Sequence, residues 1–222
     1  MKNIFITGAS RGIGFEIAKQ NLTQGNHVTA TCRNPSQAKE LNLLQIQNKE
    51  RLDIMELDVE DEDSIRLCFD KHKEKNRPID LLFNNAGVID WNDLFEVSIS
   101  SVEKIYKVNL IGCLMVLRLA IPCLQKSIAP LIINLSSRLG SIDLRGETQL
   151  GGAIAYQCSK AALNMLTKQA AIDLKPLKIR VISQSPGWVK TEMGGVKAKY
   201  QVSEAVSMML HSLNQLPSDQ TG

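Results

Sequence analysis

A strand-like segment, a glycine-rich turn and an amphipathic helix follow one another at the N-terminus. Residues 3–7 are apolar and β-prone, residues 8–14 contain three glycines, and Phe15, Ala18 and Leu22 recur at helical spacing. A strand that passes through so short a turn into a helix is typical of a β-α-β unit, in which two parallel strands are joined by a right-handed helical crossover. This unit strongly favours an α/β fold for the whole chain.

The glycine-rich turn also predicts a binding function. Glycines let the backbone approach a phosphate closely, and the first turn of the following helix presents unpaired N–H groups to an anion. The spacing Gly-x-x-x-Gly-x-Gly, at Gly8, Gly12 and Gly14, is one variant of the dinucleotide-binding loop. The alternative is that the glycines only make a tight structural connection.

The rest of the chain continues the alternation of strands and helices without a linker or an internal repeat. Its 222 residues suit one domain, residues 1–222. The order of elements predicts a single doubly wound parallel sheet with helices on both faces. Further strands are expected at 27–32, 51–57, 79–83, 129–135 and 179–183, and further helices at 36–47, 60–75, 98–126, 153–174 and 203–216.

Composition argues against several classes of protein. Lys and Arg number 26 against 23 acids, a net charge of +3 that is too slight to predict binding to nucleic acid. The five cysteines are scattered without a Cys-x-x-Cys pair, which predicts reduced thiols in a cytoplasmic protein and no metal site. The most apolar segment, Val108–Leu124, is interrupted by Asn109, Arg118 and Pro122, so we expect a buried helix and no membrane contact.

Two arginines favour a cofactor that carries a 2′-phosphate. Arg11 lies in the glycine turn, and Arg33 follows the second predicted strand, where a dinucleotide fold meets the adenosine ribose. A carboxylate at that position would accept a hydrogen bond from a free 2′-hydroxyl, whereas arginine pairs with phosphate. The sequence therefore favours NADP over NAD, unless both arginines are only solvated loop residues.

Tyr156 and Lys160 are the candidate acid–base pair. Four residues apart on a helix, they share one face, and a nearby cation typically lowers the pKa of an acidic group. Such pairs also occur by chance in many helices. Ser136 and Ser137 follow the fifth predicted strand, at the sheet edge where ligands bind in doubly wound folds. Asn84 and Asn109 have structural alternatives: Asn84 could tie neighbouring strands, and Asn109 could satisfy backbone groups.

Together these motifs resemble the short-chain dehydrogenase/reductase family over nearly the whole chain. Within it, the sequence is most similar to the small carbonyl-reductase group that includes the bacterial C-factor signalling protein and the insect carbonyl reductase sniffer. The resemblance implies a Rossmann fold with an integral catalytic site. The motifs that carry it are Thr7–Gly14, Asn84–Gly87, Asn109, Ser136–Ser137, Tyr156 with Lys160, and Pro186–Gly187 with Thr191; residues 29–35 and 186–193 carry the narrower likeness.

The resemblance implies a role for each catalytic candidate. Tyr156 would give its proton to a carbonyl oxygen, and Ser137 would hold that oxygen. Lys160 would lower the pKa of the tyrosine and bind the nicotinamide ribose. Asn109 would hold a water molecule in a proton relay from Lys160 to solvent.

The resemblance also implies the cofactor contacts. Asp58 and Val59 would line the adenine pocket, residues 85–87 would form the floor of the cofactor site, and residues 186–191 would hold the carboxamide. The full implied set is Gly8, Ser10, Arg11, Gly12, Ile13, Gly14, Arg33, Asp58, Val59, Asn85, Ala86, Gly87, Tyr156, Lys160, Pro186, Gly187, Val189 and Thr191.

The expected function is therefore hydride transfer between NADP(H) and a small or medium carbonyl or alcohol substrate. A non-enzymatic dinucleotide-binding signalling protein of the C-factor type is the alternative. The apolar helices at 98–126 and 153–174 exceed what one sheet face requires, so we expect a homodimer or homotetramer.

Two features depart from the family pattern. The interval from Ser137 to Tyr156 is 19 residues, longer than is usual, so we expect the loop 139–152 to protrude beside the substrate entrance. The usual last strand of the family is not found after Thr221 and Gly222. The sixth strand should then form an unpaired apolar edge, which predicts either a longer natural chain or cover by another subunit.

Overall fold

The computed structural model describes residues 1–145 and 151–222, and within them it forms one parallel sheet flanked by helices. The strand order is β3-β2-β1-β4-β5-β6, and all neighbouring strands run parallel. The order reverses between β1 and β4, where doubly wound sheets open a ligand crevice. The predicted fold is confirmed. The strands are β1 Asn3–Ile6, β2 His27–Cys32, β3 Leu52–Glu56, β4 Leu81–Asn84, β5 Leu131–Leu135 and β6 Arg180–Gln184.

Helices cover both faces of this sheet. The helices are α1 Gly12–Thr23, α2 Lys39–Gln47, α3 Glu62–Glu74, α4 Ile99–Tyr106, α5 Cys113–Leu124, α6 Ile154–Asp173 and α7 Val202–Asn214, with short 3₁₀ turns at Pro35–Gln37, Arg138–Gly140 and Lys175–Leu177. Buried residues of α1, α2 and α7 form one apolar cluster, and those of α3, α5 and α6 form the other. The predicted helix 36–47 begins as a 3₁₀ turn and becomes α-helical only at Lys39.

Side-chain alternation along the strands divides the core into these two clusters. On β1, Ile4 and Ile6 belong to the α1 face, whereas Phe5 belongs to the α3 face. On β5, Leu131 and Ile133 pack on the α1 face and Ile132 on the other. Both faces are buried, as is usual for a parallel sheet, so the functional groups are left to the strand ends.

The predicted helix 98–126 is not a regular α-helix. Between α4 and α5 it passes through a π-helical segment, Lys107–Gly112, which contains Asn109. Ile99–Leu124 is long and apolar enough to cross a membrane, since an 18-residue window in it has a mean hydropathy of 1.7. Half of that window, however, is buried inside the protein. Contact with the sheet core therefore accounts for the apolar composition.

The outer edge of β6 is partly paired, which differs from the fully unpaired edge that we expected. The N–H of Val181 donates to Thr221 Oγ1 at 2.9 Å, and the N–H of Gly222 donates to the Val181 carbonyl at 2.8 Å. Arg180 Nη1 also donates to the Pro217 carbonyl at 3.0 Å. The last two residues of the chain thus bind the middle of β6.

The loop between β5 and α6 is described only in part. Residues 146–150 lie outside the described residues, so the prediction that this loop protrudes stays a prediction. On its described flanks, Arg145 Nη1 donates to Gln157 Oε1 at 2.8 Å, and Gln157 Nε2 donates to the Gly152 carbonyl at 2.6 Å. Both flanks are therefore held against the first turn of α6.

Candidate active site

Tyr156 and Lys160 lie on one buried face of α6. The residues are 7% and 5% exposed, and the Lys160 Nζ lies 5.5 Å from the centroid of the Tyr156 ring. The predicted helix spacing is confirmed, and it brings an amine and a phenol into one space at the carboxyl end of the sheet. A chance pair on a surface helix would leave both side chains in solvent.

Ser137 adds a hydroxyl group to this pair. The residue follows β5 in an extended conformation, and its side chain lies near enough to the Tyr156 hydroxyl to lower the pKa of that group, against the effect of burial. Its Oγ also accepts from the Leu139 N–H at 3.1 Å, which fixes its position. Ser136 takes a separate role, because its Oγ donates to Asn164 Oδ1 at 2.6 Å. Since Ser136 is engaged elsewhere, the role of Ser137 stays a prediction that these contacts favour.

The pKa of Tyr156 differs from the sequence-based expectation. Burial raises the pKa of the phenol above its usual value, and the hydrogen bond with Ser137 opposes that shift. Among the described residues, Lys160 does not contribute the expected lowering of the Tyr156 pKa. The Lys160 ammonium donates to the Leu135 carbonyl at 2.7 Å, and its Nζ lies 5.5 Å from the centroid of the tyrosine ring.

The pKa of the Lys160 amine is also shifted strongly from its usual value. Burial lowers the pKa of its amine to about 8, and the nearby Cys113 opposes this shift. The Arg138–Gly140 turn packs so tightly on α6 that a Cβ on Gly140 would lie 2.6 Å from the Lys160 carbonyl carbon. This turn and Leu135 hold the lysine in place, and at neutral pH it is mostly an ammonium close to its deprotonation point.

Asn109 makes structural contacts instead of presenting a free amide. Its Oδ1 accepts from the Val88 N–H at 2.9 Å, and its Nδ2 donates to the Val88 carbonyl at 2.9 Å and to Ser159 Oγ at 3.0 Å. Ser159 Oγ in turn donates to the Tyr156 carbonyl at 2.7 Å. The side chain thus satisfies backbone groups, as the structural alternative predicted, and ties the π segment to α6. The water relay implied by the resemblance stays a prediction.

A second polar network lies beneath the site. Asn84 Nδ2 donates to Asn134 Oδ1 at 2.8 Å across β4 and β5, and Asn134 Nδ2 donates to Thr167 Oγ1 on α6 at 2.9 Å. The Cys113 thiol donates to the same Asn134 oxygen at 3.3 Å, and burial raises its pKa to about 12. Asn84 therefore ties neighbouring strands, which was the alternative reading of this residue.

The glycine turn forms a cradle at the start of α1. Gly8 and Gly12 have φ of +67° and +58°, which favour glycine, and a Cβ on Gly14 would lie 2.4 Å from the Gly8 carbonyl oxygen. Asn85 Nδ2 holds the turn by donating to the Thr7 and Gly8 carbonyls at 2.8 and 2.9 Å.

Neighbouring groups complete the cradle. Among the described residues, no side chain caps α1, so its first N–H groups can receive an anion. The Ala86 N–H donates to Thr7 Oγ1 at 3.1 Å, and Ile13 packs against the α1-face cluster. Ser10 is half-buried beside them, and a Cβ on Gly87 would lie 3.8 Å from the Lys160 Nζ.

The two arginines have different surroundings. Arg33 is exposed beyond β2, and it forms no ion pair within the described part of the chain. Arg11 forms an ion pair with Glu192, with 3.0 Å between Nε and Oε2. The sequence analysis missed Glu192, because no local pattern links residues so far apart in the chain.

The segments after β3 and β6 complete the groove. Asp58 and Val59 follow β3, and Asp58 Oδ1 accepts from the Glu60 N–H at 3.0 Å. Gly187 has a φ of +80°, and a Cβ there would lie 3.1 Å from the Tyr200 ring. On the opposite wall, a Cβ on Gly12 would lie 3.6 Å from Thr191 Cγ2, so the two walls meet there.

The backbone of the segment after β6 is held by a short internal pairing. Val189 is buried and pairs with Tyr200. Beside Pro186 and Gly187 lies a cavity of about 280 Å³, which is also lined by α7 residues Met208 and Met209.

The sequence analysis also missed Ser159, Asn134 and the Leu135 carbonyl. Ser159 links Asn109 to the Tyr156 backbone, and the Leu135 carbonyl receives the Lys160 ammonium. A backbone acceptor leaves no mark in a sequence, and a serine one turn from a tyrosine is common in helices. These groups could be found only from the folded chain.

Comparisons with known proteins agree with this arrangement. A family model described as short chain dehydrogenase matches residues 2–201. The C-signal protein of Myxococcus xanthus is 34% identical over 146 residues, which are 65% of this chain and 86% of that protein.

Solved structures that match the whole chain include two carbonyl reductases. The NADPH-bound carbonyl reductase from chicken fatty liver has a TM-score of 0.94 at 34% identity and is covered over 90% of its length. The carbonyl reductase Sniffer of D. melanogaster has a TM-score of 0.91 at 33% identity and is covered over 94%. With the family model matching most of its length, this chain belongs to the short-chain dehydrogenase family.

Proposed function

We propose that this protein is an NADP(H)-dependent carbonyl reductase that acts on small or medium apolar carbonyl compounds, with Tyr156 as the acid. The observation that carries the proposal is the grouping of the buried Tyr156 and Lys160 side chains with the partly buried Ser137. A protein that only bound a dinucleotide would have no chemical need for this group.

The residues of the groove fit a dinucleotide. The positive-φ glycines Gly8 and Gly12 and the uncapped start of α1 provide a cradle for a diphosphate. Arg11 and Arg33 would provide two cations for a 2′-phosphate, and Asp58 and Val59 would line the adenine pocket. Lys160 would bind the nicotinamide ribose, and Val189 and Thr191 would hold the carboxamide. The NADPH-bound state of the chicken carbonyl reductase supports the same choice of cofactor.

Bound NADPH would supply a hydride to the carbonyl carbon, which is the chemistry of the cofactor and not of the protein. Tyr156 would donate its hydroxyl proton to the carbonyl oxygen, so that the product is an alcohol. Ser137 would donate a hydrogen bond to the same oxygen and stabilise the negative charge that develops there. The Lys160 ammonium would stabilise the tyrosinate that remains, and solvent would then return the proton to Tyr156.

Apolar side chains near the site favour an apolar substrate. The Trp91 carbonyl accepts from the Ala153 N–H at 3.1 Å, so the backbone of this half-exposed residue lies beside the start of α6. Trp188, which is also half-exposed, lies in the segment after β6, and its Nε1 donates to the Gly194 carbonyl at 2.8 Å. Two partly solvated indoles can cover an apolar carbonyl compound and exclude water.

A panel of aldehydes, diketones and quinones tests the proposed activity. The protein is incubated with each compound and either NADPH or NADH, and consumption of the reduced cofactor is followed by absorbance. We expect turnover with NADPH. Tight NADPH binding without turnover on any compound would contradict the enzyme and favour a dinucleotide-binding signalling protein.

Arg33→Asp tests the choice of cofactor separately. The substitution removes a cation and places a carboxylate where a free 2′-hydroxyl would bind, so the ratio of NADPH to NADH affinity should fall. Titration of cofactor fluorescence gives both dissociation constants. An unchanged ratio would show that Arg33 does not contact the 2′-phosphate.

A further inference from the structure

One ion pair joins the two walls of the proposed cofactor groove. Arg11 is the last residue before α1 on one wall, and Glu192 follows Thr191 on the other. The Arg11 Nε lies 3.0 Å from Glu192 Oε2, and a Cβ on Gly12 would be 3.6 Å from Thr191 Cγ2. The pair therefore lies over the point at which the two walls meet.

The stability of the fold does not require this pair. The side chains of Arg11 and Glu192 are 71% and 78% exposed, and exposed ion pairs contribute little because water and salt screen them. Among the residues that the structure describes, neither one forms another ion pair. A stronger anion can thus displace Glu192 from Arg11 at little cost to the fold.

A 2′-phosphate needs the guanidinium that the carboxylate now holds. Phosphate and carboxylate both accept from the N–H donors of arginine, and two negative groups beside one guanidinium repel each other. Arg33 has no such competitor within the described chain. Of the two arginines proposed for the phosphate, Arg11 is therefore the one whose contribution is reduced before the cofactor binds.

We propose that Glu192 is a cofactor-specificity residue: its carboxylate competes with the 2′-phosphate of NADP(H) for Arg11 and thereby narrows the preference for NADP(H) over NAD(H). This inference rests on the proposed function, because it requires the 2′-phosphate to bind beside Arg11. NADH has no phosphate at this position, so its binding does not require release of the ion pair.

Glu192→Gln tests the proposal, since glutamine keeps the size of the side chain and removes its charge. Dissociation constants for NADPH and NADH are measured by fluorescence titration at low ionic strength, without a substrate. We expect NADPH binding to tighten about two- to fivefold, the size of effect typical of an exposed pair, and NADH binding to change less. No change, weaker NADPH binding or an equal change for both cofactors would overturn the proposal.

Two control variants isolate the ion pair. In an Arg11→Met background, Glu192→Gln should no longer alter the ratio of NADPH to NADH affinity, because the contested guanidinium is gone. Glu74→Gln removes an exposed carboxylate at the end of α3, on the other face of the sheet, and should leave the ratio unchanged. If Glu192→Gln still changed the ratio of NADPH to NADH affinity in the Arg11→Met background, the proposed competition for Arg11 would be wrong.

The binding measurement also separates this inference from the proposed function. Failure of the wild-type protein to bind NADPH would overturn both. Wild-type binding and turnover with NADPH, together with an unchanged affinity ratio in Glu192→Gln, would overturn only the role of Glu192.

Discussion

Single residues of the site share one buried space but have different partners. The Ser137 side chain lowers the pKa of Tyr156 against the effect of burial, whereas the Lys160 ammonium donates to the Leu135 carbonyl. Substitutions of the two residues should therefore have different effects on activity and on cofactor binding. Substitution of Lys160 should reduce both turnover and cofactor binding. Substitution of Tyr156 should reduce only turnover.

Tyr156→Phe should lower the turnover number by at least about a hundredfold, because the proton donor is lost, while NADPH affinity stays nearly unchanged. Lys160→Ala should reduce both, since it removes the charge expected to bind the nicotinamide ribose. Steady-state kinetics and fluorescence titration measure the two effects. Equal loss of NADPH affinity in both variants would contradict this division of roles.

The pH dependence of reduction should reflect Lys160. The pKa of its amine is about 8, so the ammonium is present below that pH and is lost above it. Since burial raises the pKa of Tyr156, the phenol keeps its proton through this range. We expect kcat/KM for reduction to fall as pH rises through about 8. Lys160→Arg keeps its charge there, so any activity that it retains should show no decline at that pH.

Among elements, the π segment between α4 and α5 departs most from the sequence-based prediction. Its Asn109 bonds to Val88 and Ser159, and its last residue, Gly112, lies against the segment after β3. Apolar periodicity predicted a helix here but could not reveal the wider turn, because that turn is seen in the backbone hydrogen bonds and in contacts with distant segments.

Gly112→Ala should destabilise this junction. An added Cβ would lie 2.4 Å from the Val59 carbonyl oxygen, which is backbone and cannot rotate away. We expect a loss of about 1–3 kcal/mol in the free energy of unfolding, the usual cost of overpacking, and weaker cofactor binding through the displaced Val59. Gly151→Ala is the control, because no atom of the described residues lies within 4 Å of its added Cβ. Equal stability of both variants by urea unfolding would contradict the prediction.

At the scale of the whole molecule, a buried histidine links stability to pH. His72 packs edge-on against Phe5, with 5.4 Å between ring centroids, in the cluster under α3. The pKa of His72 is lowered from 6.5 to about 4, mainly by burial and also by the charges of Lys75 and Arg77, while Asp53 opposes this shift. The unfolded chain therefore takes up this proton at a higher pH than the folded protein does.

The free energy of unfolding should consequently fall as pH decreases from 6.5 to about 4, by at most about 3 kcal/mol from this group. Above pH 6.5 the histidine is neutral in both states and contributes no pH dependence. His72→Leu should remove this part of the acid sensitivity. Urea unfolding at several pH values measures it, and an identical acid slope in the variant would contradict the assignment.

The predicted homodimer or homotetramer stays a prediction. Several apolar side chains of the two helices that suggested it are exposed, namely Ile111, Leu114, Met165 and Ile172. Sedimentation velocity should show a species larger than one chain of 24.6 kDa. Replacing Met165 and Ile172 by glutamate should shift it towards the monomer, and a monomeric wild type would contradict the prediction.

The sequence by itself determined the fold and named the candidate residues of the site. Apolar periodicity defined the strands and helices, the glycine spacing located the turn at Gly8–Gly14, and helical geometry put Tyr156 and Lys160 on one face. Each of these signals is local, because it depends on residues within a few turns of one another. Local signals sufficed for the order of elements, and hence for the edge of the sheet at which the candidate residues meet.

Only the tertiary structure decided which partner each of these residues has. Burial set the pKa of Tyr156 and Lys160, Val88 engaged the Asn109 amide, and Glu192 paired with Arg11. The physical reason is that desolvation and hydrogen bonding depend on groups that approach from remote parts of the chain. The glycine turn predicted a phosphate cradle. The fold added the Glu192 carboxylate, which we propose competes with the 2′-phosphate for Arg11.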